Sequence, residues 1–161
     1  MLVFKDVFTD DELFSDSYRF STQENGLIYE VVGDYVSINE DNEVVPAGSS
    51  EAVGTALNVV IDQGLEATTF DKKSFGAYLK MIFRNIKERL ESKNPERVAA
   101  FQAAAAPFAK KLLENFKDLQ FYTGNSMDPN GLVVFMDHKD FDGEEKPVFY
   151  VLKDAVFEQK Y

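Results

Sequence analysis

The stretch from Asp71 to Glu96, DKKSFGAYLKMIFRNIKERLESKNPE, contains one whole helix and the start of a second. Asp71 is a suitable N-cap, because its carboxylate can accept hydrogen bonds from the free amides of the first turn. Apolar residues follow at helical spacing, at Phe75, Leu79, Ile82, Ile86 and Leu90. Asn94 is expected to cap the next helix, with Pro95 at its first position, where a missing amide has no cost.

The second helix has its own apolar stripe, formed by Val98, Phe101, Ala105, Phe108, Leu112 and Phe116. The short connection between the two helices predicts an antiparallel helical hairpin over about residues 71–117. Pro107 lies inside the second helix and predicts a kink or a division near residue 103, because proline removes one backbone hydrogen bond.

Segments rich in β-branched and aromatic residues flank the hairpin on both sides. The predicted strands are LVFKDVF, GLIYEVVG, YVSINE, ALNVVIDQ and LEATTF before it, and LQFYTG, GLVVFMDH and PVFYVLKDAVF after it. Residues 40–54 are polar and small, which predicts a mobile loop. Strands, a helical hairpin and then strands again predict an α+β fold, in a single domain over residues 1–161.

Composition excludes several classes of function. The chain has no cysteine and one histidine, His138, and it contains no phosphate-binding or nucleophile motif, so we expect a protein that is not an enzyme. The net charge of −11 argues against nucleic acid as a partner. No signal peptide or membrane-spanning stretch is apparent, and we expect a cytoplasmic monomer that requires no cofactor.

Positive charge is concentrated in the first helix of the hairpin. Between residues 71 and 93, seven basic and three acidic residues give a net charge of +4, so the rest of the chain carries −15. This segment is either a solvated outer face or a docking surface for an acidic protein. Its basic residues are Lys72, Lys73, Lys80, Arg84, Lys87, Arg89 and Lys93.

Two acidic segments are candidate sites. DDELFSDSY, from Asp10 to Tyr18, is either a solvated turn or a recognition surface. DHKDFDGEE, from Asp137 to Glu145, does not fit an EF-hand loop, because Phe149 would occupy the position of the bidentate glutamate. Weak calcium binding by Asp140, Asp142 and Glu144 remains an alternative to a solvated turn.

The segment from Phe116 to Gly143 resembles the C-terminal signature of the translationally controlled tumour protein family. The resemblance is carried by Phe116, Lys117, Phe121, Gly124, Met127, Pro129 and Gly131. DELFSDSY is similar to the family's N-terminal element, TTFDKKSF to its entry into the first helix, NPERVAAF to its helix junction and VLKDAVFEQK to its last strand. The loop segment GSSEAVGT is shorter and less acidic than the family's usual loop.

This resemblance implies a β-tent core with a projecting helical hairpin, and a regulatory protein that works by binding. It implies contact with a Rheb-like small GTPase through Asp11, Glu12, Leu13, Phe14 and Asp16, and with tubulin or microtubules through the seven basic residues. It also implies calcium binding and contact with a translation elongation factor. The alternative function is a low-affinity calcium-binding protein that does not regulate a GTPase.

Overall fold

Three antiparallel sheets and three α-helices make up the fold in the computed structural model, which describes residues 1–161. The strands are β1 Leu2–Asp6, β2 Glu12–Ser15, β3 Arg19–Gln23, β4 Ile28–Val32, β5 Tyr35–Ile38, β6 Val44–Val45, β7 Gly54–Leu57, β8 Glu66–Thr68, β9 Gln120–Thr123, β10 Val133–Phe141, β11 Glu144–Leu152 and β12 Val156–Lys160. The α-helices are α1 Asn58–Gln63, α2 Lys72–Lys93 and α3 Val98–Glu114. The α+β prediction is confirmed. No helix is both long and apolar enough to cross a bilayer.

The central sheet has six strands in the order β3-β4-β11-β10-β9-β8. A second sheet has the order β12-β1-β2, so β2 is an edge strand, and it brings the two ends of the chain together. The Tyr161 amide donates to the Met1 carbonyl at 2.9 Å. The third sheet, β6-β5-β7, contains the segment that the sequence predicted as a loop.

The two faces of the central sheet are covered by different elements. On one face, Phe4 and Phe14 from the second sheet pack with Phe20 and Tyr29, with ring centroids 4.3–5.7 Å apart. On the other face, Phe75 of α2 packs against Phe121 and Phe135. One continuous apolar cluster of 33 buried residues runs through both interfaces.

The helical hairpin forms as the sequence predicts, with two differences at its second helix. Asp71 and Ser74 form a capping box at the start of α2. However, the Asn94 side chain caps nothing, because a 3₁₀ turn, Pro95–Arg97, precedes α3. Pro107 does not divide α3, which is continuous from Val98 to Glu114. Pro107 is exposed, so water can reach the carbonyl that its ring leaves without an amide partner.

Arg97 attaches the helix junction to the sheets. Its guanidinium donates to both carboxylate oxygens of Asp154, at 2.9 and 3.0 Å, and to the Gly26 carbonyl at 2.9 Å. These bonds join the hairpin to the turn before β4 and to the 3₁₀ turn before β12. The junction is therefore anchored to the β part of the molecule.

One prediction of local structure before the hairpin was wrong, and a second has to be extended by one short strand. ALNVVIDQ, predicted as a strand, ends β7 and then forms α1. The Asn58 side chain accepts from the amides of Asp34 and Val59, and Gly64 ends the helix in the left-handed conformation, with φ 64°. Residues 40–54, predicted as a loop, contain the short strand β6, which pairs with β5.

Candidate protein-binding surfaces

Strand β2 presents the acidic N-terminal segment at the edge of its sheet. Glu12 and Asp16 are exposed, as is Asp10, which lies 3.7 Å from the Lys5 ammonium. The Tyr161 hydroxyl donates to Glu12 at 3.4 Å, and the Asp16 carboxylate accepts from the Leu2 amide at 3.1 Å. We call Asp10, Glu12 and Asp16 the acidic edge. Its three carboxylates remain accessible to a partner.

Leu13 and Phe14 lie behind the acidic edge and not on it. They are 1% and 0% exposed, and Phe14 stacks on Phe4 with ring centroids 4.3 Å apart. The prediction that a GTPase touches these two side chains therefore has to be corrected. Their role in this structure is to fix β2 to the core, which holds the carboxylates of the acidic edge in position.

The carboxylate of Asp11 forms hydrogen bonds within the chain, to the loop that carries the C-terminal signature. It accepts from the Ser126 hydroxyl at 2.5 Å and from the Ser126 amide at 3.3 Å. A side chain at Gly124 would collide with Asp11, so glycine permits this close approach. The N-terminal element and the signature are far apart in the sequence, whereas the structure joins them. No spacing rule pairs residues 115 positions apart.

A buried polar network lies beneath the same loop. The Asp6 carboxylate, 1% exposed, accepts from the Leu132 amide at 2.7 Å and from the Phe8 amide at 2.8 Å. The Tyr78 hydroxyl accepts from the Val133 amide at 2.7 Å and donates to the Gly131 carbonyl at 3.2 Å. Burial raises the pKa of both side chains, which favours their neutral forms. The loop is thus held by Asp6 of β1, by Asp11 and by Tyr78 of α2 together.

The seven basic residues of α2 are divided between different sides of the helix. Lys73, Lys80, Arg84 and Lys87 recur at intervals of seven, four and three, which places them within about 60° of one another around the helix axis. We call these four residues the basic stripe. Lys72, Arg89 and Lys93 lie off this stripe. None of the seven has a carboxylate oxygen within 4.0 Å, so the stripe has no partner within the chain.

The residues predicted for calcium are not brought together. Asp140 and Glu144 lie on the paired strands β10 and β11, and Asp142 lies in the turn between them, with φ 54°. Glu144 faces the Lys146 ammonium at 3.3 Å. No group of three or more His, Asp or Glu side chains is placed to hold a metal ion. The calcium prediction therefore gains no support from this geometry.

His138 forms a structural contact between two sheets. Its Nε2 lies 2.6 Å from the Tyr35 hydroxyl, and the two rings stack with centroids 6.0 Å apart. This pair joins β10 of the central sheet to β5 of the third sheet.

The profile of the family described as translationally controlled tumour protein matches residues 1–157. The translationally-controlled tumor protein homologs of Aedes albopictus and of Schizosaccharomyces pombe are each 37% identical to this chain, with all of both chains covered.

Two solved structures are similar over their whole length. The Schizosaccharomyces pombe structure, of the translationally controlled tumor-associated protein p23fyp, has a TM-score of 0.83 and 38% identity, with 100% of each chain covered. The translationally-controlled tumor protein of Caenorhabditis elegans has a TM-score of 0.77 and 29% identity, covering 100% of this chain and 99% of that one. The β-tent expectation is confirmed by these neighbours.

Proposed function

This chain belongs to the translationally controlled tumour protein family, and we propose that it is a cytoplasmic regulator that acts by binding other proteins. Its first partner is a Rheb-like small GTPase, which contacts the acidic edge. The observation that supports this is the exposure of Glu12 on an edge strand, and of Asp10 and Asp16 on either side of it, while Leu13 and Phe14 of the strand are fully buried. Calcium binding and contact with a translation elongation factor stay predictions without an assigned surface.

Exposed carboxylates on and beside a strand that is anchored in the core favour specificity and fast association. Charged groups at the rim of an interface mainly raise the association rate and select partners of opposite charge. Because the overall charge outside residues 71–93 is −15, the acidic edge lies in a negative field that attracts a basic surface. The buried Leu13 and Phe14 keep that strand in place, so little conformational entropy is lost on binding.

Binding to a Rheb-like GTPase from the same organism tests this proposal. Glu12→Ala is expected to weaken affinity about three- to tenfold, mainly through slower association at low salt. Glu145→Ala is the matched control, because it removes the same charge from an exposed position on β11. Equal affinity of the Glu12 variant and the wild type would contradict the proposal, as would a wild type that does not bind.

The basic stripe supports the proposal of a second partner, the acidic tails of tubulin. Four positive side chains along one face of α2, with no ion pair in the chain, are available to an extended acidic peptide. Contacts of this kind are weak and salt-dependent, because exposed charges are screened within about 8 Å at physiological ionic strength.

Co-sedimentation with microtubules tests the stripe. Changing Lys80, Arg84 and Lys87 together to serine is expected to abolish binding at low salt. The matched control changes Lys110, Lys117 and Lys160 to serine, since these lysines are exposed, form no ion pair and do not lie on α2. If both triple variants lose binding to the same degree, net charge and not the stripe accounts for the association.

A further inference from the structure

A cavity of about 180 Å³ lies between α3 and the face of the central sheet that packs against the helices, away from both proposed surfaces. Its polar wall includes Glu30 of β4, Tyr150 of β11, and Asp137 and Lys139 of β10. Phe108 and Leu112 of α3 form the apolar wall. GLIYEVVG has the pattern of an ordinary buried strand, so its single carboxylate does not indicate a site from the sequence alone.

Glu30 is the unusual residue of this cavity. It is 5% exposed in mid-strand, and Tyr150 lies directly opposite it in the sheet register. Its only charged partner is Lys139, whose ammonium lies 3.1 and 3.2 Å from the two carboxylate oxygens. These distances exceed the usual 2.7–2.9 Å of a charge-assisted bond. A buried carboxylate with a long and half-exposed partner is an unfavourable arrangement for stability alone.

The surroundings of Glu30 favour a further positive charge. Glu24, Glu30 and Asp137 contribute three carboxylates to the cavity, against the two ammonium groups of Lys111 and Lys139. Burial, together with these three carboxylates, raises the pKa of Tyr150 to about 12, which indicates a negative local field. Lys139 is 45% exposed, so its ammonium can move into solvent when another cation enters.

We propose that this cavity binds a guanidinium group carried on an aliphatic stem, which replaces Lys139 against Glu30. A planar guanidinium can donate to both oxygens of one carboxylate, and it stacks on aromatic rings. The rings of Tyr150 and Phe108, with centroids 6.2 Å apart, provide such surfaces beside Glu30. The volume is below the roughly 300–1,000 Å³ of typical small-molecule sites, which fits a single cationic side chain or a short alkylguanidine.

Chemical rescue of Lys139→Met tests the site. This variant keeps an aliphatic stem but leaves Glu30 without its cation, so its thermal midpoint should fall. Millimolar propylguanidine should raise that midpoint and should bind the variant about tenfold more tightly than it binds the wild type. The double variant Glu30→Gln/Lys139→Met should lose both effects. Lys5→Met, which loses the ion pair to Asp10 in the second sheet, is the matched control and should not respond.

Two further arms keep the test decisive. If Lys139→Met does not fold, the wild type is titrated with propylguanidine instead. The readout is the amide NMR shifts of Ile28 and Leu112, and Glu30→Gln is the control. A second titration uses a blocked arginine dipeptide, which represents an arginine side chain of a protein, whereas propylguanidine represents a free small molecule. Saturable binding of either compound supports the site. Shifts no larger than those caused by sodium chloride at equal ionic strength would overturn the proposal.

Discussion

Asp6 places a carboxylate where almost no water reaches it, beneath Gly131. A side chain at Gly131 would come within 2.8 Å of Thr9 and 3.0 Å of the Asp6 carboxylate, so the signature glycine is needed for this packing. The two amide donors of Leu132 and Phe8 partly offset the desolvation of the charge. At the residue scale, the C-terminal signature is therefore a set of contacts with β1 as well as a surface motif.

Asp6→Asn is expected to lower the free energy of unfolding by about 1–3 kcal/mol, because an amide group cannot accept from both backbone amides. The pKa of Asp6 is raised in the folded state, chiefly by burial. Its contribution to stability is thus complete below the unfolded pKa of about 3.9 and is lost as the pH rises through the folded pKa. Urea unfolding near pH 4 and near pH 7 should show a smaller difference between wild type and variant at the higher pH. A larger difference there would contradict this assignment.

Elements with a strong local pattern could be predicted from the sequence, and elements set by distant contacts could not. The apolar spacing of α2 and its cap at Asp71 are local, and both are present in the structure. In contrast, the β-branched residues Val59, Val60 and Ile61 predicted a strand where α1 forms. There Asn58 bonds to Asp34, a residue 24 positions away, and favours the helix.

In the candidate sites too, features with a local pattern could be predicted from the sequence, and features that depend on distant contacts could not. The exposure of Glu12 and of the basic stripe follows from charge and helical spacing, which the sequence contains. The burial of Phe14 depends on packing against Phe4 and Tyr29, and the acidic residues on either side of β2 gave no indication of it. The cavity beside Glu30 depends on α3 crossing the sheet, for which no local pattern exists.

Pro107→Ala should stabilise the protein, because α3 is continuous and this position is exposed. Alanine restores one backbone hydrogen bond and removes the clash of the ring, and the expected gain is about 1–3 kcal/mol in the free energy of unfolding. Urea denaturation measures it, with the exposed Ala103→Ser as a control that keeps the backbone amide. A loss of stability would mean that the proline ring makes a contact that α3 requires.

At the scale of the whole molecule, the third sheet is the part least attached to the core. No residue from Asp34 to Ala56 is buried, and this sheet adds no strand to the central one. The contacts that join it to the central sheet include Tyr35 with His138, and Asp34 with Lys146 at 2.7 Å. Segments with few buried apolar contacts open at a lower free energy than the rest of a protein.

Tyr35→Phe should therefore increase amide hydrogen exchange in β5, β6 and β7 while leaving β4 and β11 unchanged. The variant loses the 2.6 Å hydrogen bond to His138 but keeps the ring stack. Hydrogen-exchange mass spectrometry measures the difference, with Tyr122→Phe as a control in the central sheet. Equal acceleration in both sheets would show that the third sheet does not open independently.

The pairing of β1 with β12 has a practical consequence for experiments on this protein. Met1 and Tyr161 are hydrogen-bonded to each other, and the Tyr161 hydroxyl reaches Glu12. An affinity tag or fluorescent fusion at either terminus would consequently emerge beside the acidic edge and could block it. A circular permutant that joins the two termini and opens the chain within residues 46–53 would move such fusions to the far side of the third sheet.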